Sequence, residues 1–149
     1  MKKLLFILLL VIPFIGFGQN VKFNNELKTK YFKEYEKMYY FNGSPFTGIC
    51  IHYWESEEGW ESGNSQMTIK NGLPNGSYQS WFSNGKLEFM GDYMNGLNRN
   101  GVWKRWYKNG QIQSIMIYQG LSGEIETVTT NGLISETCWD ENGKEINCK

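Results

Sequence analysis

From Gly48 onward the chain alternates apolar and polar positions in short runs punctuated by Asn-Gly pairs. The clearest run is Gly76-Ser77-Tyr78-Gln79-Ser80-Trp81-Phe82-Ser83-Asn84-Gly85-Lys86-Leu87, continuing to Tyr93 and Asn95-Gly96. It recurs as Gly101-Val102-Trp103-Lys104-Arg105-Trp106-Tyr107-Lys108-Asn109-Gly110-Gln111-Ile112, followed by Tyr118 and Gly120. A degraded copy begins at Gly123, keeps Ile125, Val128, Asn131-Gly132 and Ile134, and ends at Asn142-Gly143. An earlier copy starts at Gly48, with Tyr53-Trp54 where Trp81-Phe82 and Trp106-Tyr107 stand later. Four units therefore fill residues 48–143, and a repeat at this period decides the fold before any single element does.

Asn-Gly supplies the positive φ angles that a two-residue type I′ turn needs between antiparallel strands, so each unit reads as a β-hairpin. The links, at Asn71-Gly72, Asn95-Gly96 and Gly120 to Gly123, carry the same turn chemistry. The fold class expected is all-β, an elongated antiparallel meander of hairpin repeats. Alternation puts Tyr78, Ser80 and Phe82 on one face and Gln79 and Trp81 on the other; in the next unit Trp103 and Tyr107 oppose Trp106. Both faces then carry aromatic side chains. Trp81, Trp103, Trp106 and Tyr107 are candidates for the core, each repeat burying its neighbour's apolar surface, or for a ligand platform.

Residues 19–47 break the pattern and form a lead-in that caps the sheet edge. Phe23, Leu27, Tyr31 and Tyr35 recur every fourth residue and suggest a short amphipathic helix, whereas Met38 to Phe41 reads as the first strand. The insertion Glu55 to Gly63, with four glutamates and Trp60, reads as a solvated loop. Residues 144–149 form a last strand with a disulfide staple.

At the other end, Met1-Lys2-Lys3, the apolar run Leu4 to Phe17 and the small residues Gly16 and Gly18 have the organisation of a signal peptide, 1–18, cleaved after Gly18. The 14 apolar residues fall short of the roughly 20 that span a bilayer as a helix. No cysteine follows the cleavage point to accept a lipid. A soluble periplasmic or secreted protein with no transmembrane segment is expected. It keeps 13 basic and 15 acidic side chains, without the basic excess of a nucleic-acid binder.

The cysteines are Cys50, Cys138 and Cys148, an odd number for an oxidising compartment. Cys138 and Cys148 flank the turn at Asn142-Gly143, so a bridge between them would staple the last hairpin and leave Cys50 a buried free thiol. Two cysteines and a distant His52 are too few ligands for a zinc site. His52 is the only histidine and lacks a nucleophile motif, no carboxylate pair is singled out by spacing, and the glycines sit in turns rather than opening a helix. No enzyme, cofactor or metal is expected.

The repeated Gly, aromatic, Trp-Phe or Trp-Tyr, Asn-Gly, Leu or Ile and later Tyr resembles the MORN repeat in its bacterial variant. More narrowly, Pro45-Phe46-Thr47-Gly48, the two strong repeats and Cys138-Trp139-Asp140-Glu141-Asn142-Gly143 resemble YwqK-like antitoxins of Bacteroidetes-type bacteria. That resemblance spans roughly Phe41 to Cys148 and implies binding without a reaction. The leading expectation is a protein-interaction module at the cell envelope. A glycan or cell-wall-binding module using the Trp and Tyr ladders, and an antitoxin or immunity protein, are the alternatives.

Overall fold

A computed structural model describes residues 21–33, 36–55, 62–120 and 132–148. The signal segment 1–18, most of the acidic insertion with Trp60, and the degraded copy from Gly123 to Asn131 lie outside the described residues.

The described chain is almost entirely strand: β1 (Val21–Phe23), β2 (Lys28–Lys33), β3 (Glu36–Phe41), β4 (Ser44–Pro45), β5 (Gly48–Glu55), β6 (Ser62–Lys70), β7 (Leu73–Phe82), β8 (Leu87–Met94), β9 (Asn98–Trp106), β10 (Ile112–Tyr118), β11 (Leu133–Trp139) and β12 (Glu145–Ile146). From β5 to β12 each strand pairs antiparallel with its successor in one elongated sheet. At its edge β1 pairs with β5 in parallel, Lys22 opposite Cys50, so the antiparallel meander stops there. The strands β2, β3 and β4 form a second, three-stranded sheet.

The lead-in thus departs from expectation. Instead of a helix, a single 3₁₀ turn at Asn24–Glu26 is followed by β2, whose Lys28 to Tyr31 pair with Lys37 to Tyr40. Aromatic and β-branched residues suit a strand, and a partner strand a few residues away completes the backbone hydrogen bonds that a four-residue spacing alone leaves open to either structure. Met38 to Phe41 is a strand, but the third in order and part of the small sheet.

Two turn types alternate along the main chain path. Both residues of Asn42-Gly43 (φ 49°, 83°), Asn71-Gly72 (51°, 83°) and Asn95-Gly96 (50°, 103°) are left-handed, the type I′ geometry. Asn71-Gly72 and Asn95-Gly96 are links between repeats and Asn42-Gly43 joins β3 to β4; none of them is a repeat tip. At the tips only Gly85, Gly110 and Gly143 have positive φ, which corrects the type I′ assignment there. Gly85 N donates to Phe82 O, Gly110 N to Tyr107 O and Gly143 N to Asp140 O, at 2.8–3.0 Å. Each tip is a type I turn closed by a left-handed glycine, which inserts one more residue than a type I′ turn allows. Asn84 Oδ1 accepts from Lys86 N (3.0 Å) and Asn109 Oδ1 from Gln111 N (2.8 Å), the local bonding that makes asparagine a turn residue.

The tips are also tied to one another. Asn84 Nδ2 donates to Lys108 O (3.1 Å) and Asn109 Nδ2 to Glu141 O (3.0 Å), so each asparagine holds its own turn and the next one. This is the nearest-neighbour coupling expected of a stacked repeat.

The core lies on one face of the long sheet. Leu27 and Phe46 from the lead-in meet Cys50 and Ile69, all buried, with Tyr39, Phe41 and Met67 packed around them. The small sheet therefore covers the β5–β6 end, and Gly72 N to Phe46 O (2.7 Å) and Tyr39 N to Gly72 O (2.8 Å) lock it to the link turn. Farther along, on the same face, Trp103 is buried to 1% exposure beside Met116 and Tyr118, with Tyr78 and Tyr93 against it. Register makes these one row: Cys50 opposes Met67, Met67 opposes Tyr78, Trp103 opposes Met116 and Met116 opposes Glu136.

Candidate binding face

The four aromatic candidates do not form one site. Trp103 lies in the core. Its ring is stacked on Tyr78 (centroids 5.7 Å), meets Tyr93 edge-on (4.9 Å) and donates Nε1–H to Asp92 O (3.1 Å). Arg99 lies over it at 4.7 Å and donates to Tyr118 Oη at 2.8 Å, closing the cluster with a cation. Burial raises the pKa of the Tyr93 hydroxyl, with neighbouring Tyr78 adding to the shift. Tyr107, half-buried, donates its hydroxyl to Trp139 O at 2.9 Å and so fastens β11 to the preceding tip.

Trp81 and Trp106 are half-buried on the opposite face. There Met90 (40%), Val102 (49%) and Ile117 (41%) are exposed, Val102 directly opposite Ile117 across β9 and β10 and Met90 opposite Lys104 across β8 and β9. Tyr53 and Trp139 share this face with Trp81 and Trp106, a set that alternation within each repeat did not pick out. The signal was in the spacing: each aromatic follows by three residues the position of its strand that belongs to the inner row, Cys50, Tyr78, Trp103 and Glu136. A cleft of about 350 Å³ opens here between Tyr53 and Trp81, with Asn64 and Gln66 on its walls.

A second cleft, about 330 Å³, lies between the two sheets and includes Cys50, His52, Lys37 and Tyr39. Its chemistry is muted. Burial pushes the Cys50 thiol up to about 11, the opposite of what a nucleophilic thiolate needs. Cys138 and Cys148 are joined in a disulfide with Cα atoms 5.4 Å apart, and Cys50 is the free, buried cysteine. Glu136 lies beside the bridge, within the 4.8 Å of a metal-ligand cluster. Sulfurs locked in a disulfide have no thiolate to offer.

Residues 74–95 and 99–119 each match the family described as MORN repeat variant. The two segments coincide with the β7–β8 and β9–β10 hairpins and their approaches, and together make up less than a third of the chain. No curated protein and no solved structure matches. Repeats of this type are generally protein- or membrane-interaction modules and typically non-catalytic. Among the described residues no helix is long and apolar enough to cross a membrane.

Proposed function

We propose that the chain is an exported, non-catalytic repeat protein that binds a protein partner at the cell envelope, in the periplasm or outside the cell. One observation carries the reading: a face of the sheet is spent on the core and on the covering small sheet, while the other leaves Met90, Val102 and Ile117 in water. A cross-strand apolar pair that the described residues leave uncovered gains by being covered, at about 25 cal/mol per Å² of apolar surface removed from water. Export rests on the signal-like segment 1–18, and the Cys138–Cys148 bridge belongs with an oxidising compartment.

The test replaces the pair with an opposed ion pair, Val102→Lys with Ile117→Glu, which removes the apolar surface while giving β9 and β10 a compatible cross-strand contact. The variant should keep the wild-type circular dichroism and melting temperature and lose a partner that the wild-type mature protein captures from envelope extract. Equal capture by both proteins would refute the assignment of this face.

A further inference from the structure

The open face holds a second feature, at the hairpin-tip ends of its strands. Alternate strands each present one aromatic side chain: Tyr53 on β5, Trp81 on β7, Trp106 on β9 and Trp139 on β11. The strands between supply Asn64, opposite both Tyr53 and Trp81, then Leu87 opposite Trp81 and Ile112 opposite Trp106. From Tyr53 to Trp139 the row itself has no charged residue, and Glu145, opposite Trp139, stands at its end. Successive aromatics are two strands apart, so at ~4.8 Å per strand they recur about every 10 Å.

Such a row selects its ligand by three properties. An uncharged, partly apolar row disfavours an anionic or cationic chain, whose desolvation nothing here would offset. A recurrence of about 10 Å fits a polymer that turns the same face toward the sheet at that interval. In a linear β-1,4-linked polysaccharide every second sugar does so at about that distance, and the axial C–H face of a pyranose is the surface that stacks on an aromatic ring. A polyproline helix has a similar period, about 9.3 Å for three residues, but offers only carbonyl acceptors along its backbone. The cleft between Tyr53 and Trp81 instead gathers amides. Gln66 Nε2 donates to Gln79 Oε1 (2.9 Å), which leaves Gln66 a carbonyl oxygen and Gln79 an amide nitrogen for other partners, with Asn64 beside them. Groups that both donate and accept match sugar hydroxyls, which also do both.

We propose that the row Tyr53, Trp81, Trp106 and Trp139 is a binding site for a neutral, linear β-1,4-linked polysaccharide, laid across the strands with one disaccharide per aromatic step. The site is separate from the Met90, Val102 and Ile117 patch and does not depend on it.

The mature, disulfide-bonded chain is titrated with cello- and N-acetylchito-oligosaccharides of two and six sugars, followed by calorimetry and tryptophan fluorescence. At least one hexasaccharide should bind saturably with a change in tryptophan emission, and at least about tenfold more tightly than its disaccharide, because linked subsites add avidity. Tyr53→Ala, at a position 62% exposed, should weaken binding about tenfold with an unchanged melting temperature. Trp81→Leu serves as a second variant where it retains the wild-type circular dichroism. Failure of both hexasaccharides to bind, equal affinity for two and six sugars, or wild-type affinity in the folded Tyr53→Ala protein would overturn the proposal. Saturable binding of decaproline with the sugars inert would also overturn it.

Discussion

The ring of Trp103 lies directly over the α-carbon of Gly91: a β-carbon built on that glycine would overlap the indole. Gly91 stands in β8 where the following repeat has Met116, which lies opposite Trp103 and shares its buried cluster. The bare backbone of Gly91 lets Tyr78 and Trp103 stack across β8.

This contact has a measurable consequence. Gly91→Ala should destabilise the protein by about 1–3 kcal/mol, the usual cost of overpacking. Trp103→Ala should cost about 3–5 kcal/mol as a buried aromatic truncation. In the Trp103→Ala background, Gly91→Ala should cost far less, because the indole it collides with is gone. Chemical denaturation of the two single variants and the double variant gives the coupling, and additive costs would show that Trp103 does not rest on Gly91.

Coupling between tips is open to a similar comparison at Asn109. Asn109→Asp retains the oxygen that accepts from Gln111 N but loses the amide that donates to Glu141 O, while Asn109→Ala loses both. Each bond is worth about 0.5–1.5 kcal/mol, with the lower end expected at an exposed tip. The alanine variant should therefore be the less stable of the two, and amide hydrogen exchange in β11 should speed up in both.

Most of the fold is legible because the repeat writes itself in Asn-Gly, Trp and Tyr, most plainly in the two units that begin at Gly76 and Gly101. Tips and links read alike, since Asn84-Gly85 and Asn95-Gly96 are the same dipeptide, yet the asparagine is left-handed only in the second. The lead-in reads as a helix because Phe23, Leu27, Tyr31 and Tyr35 satisfy a helical period, and the pairing of β2 with β3 decides against it. The Cys138–Cys148 bridge was readable from two thiols flanking one turn. Among the aromatic candidates, alternation separated Trp103 from Trp106 correctly, but not which face would be covered. That depends on where Leu27 and Phe46 dock, a long-range contact absent from the repeat pattern.

Reducing the bridge should lower stability by about 2–3 kcal/mol, the loop-closure entropy of a separation of 10 residues before any strain. A Cys138→Ser/Cys148→Ser protein should melt lower than the wild type and stop responding to reductant. Unchanged melting on reduction of the wild type would show that the last hairpin does not depend on its staple.

Alkaline pH should act through Cys50. Its thiol titrates at about 11 in the folded protein against 9.0 as the unperturbed value, so the folded state holds its proton where the unfolded state has released it. Stability from that source is complete below about pH 9 and is lost as pH rises toward 11. Tyr93, also raised by burial, acts in the same direction. Cys50→Ala should flatten the decline between pH 9 and 11 without abolishing it, as read from melting temperature against pH. A curve of wild-type steepness in the variant would remove Cys50 from this account.

The division of labour between the two faces is tested most directly by two neighbours in the chain that point in opposite directions. Thermal unfolding of Trp103→Ala should show a loss of about 3–5 kcal/mol, a fall of many degrees for a domain of this size. Val102→Thr, half-exposed on the open face, should stay within about 0.5 kcal/mol of the wild type. Comparable losses at both positions, or a larger one at Val102, would contradict the assignment of one face to the core and the other to binding.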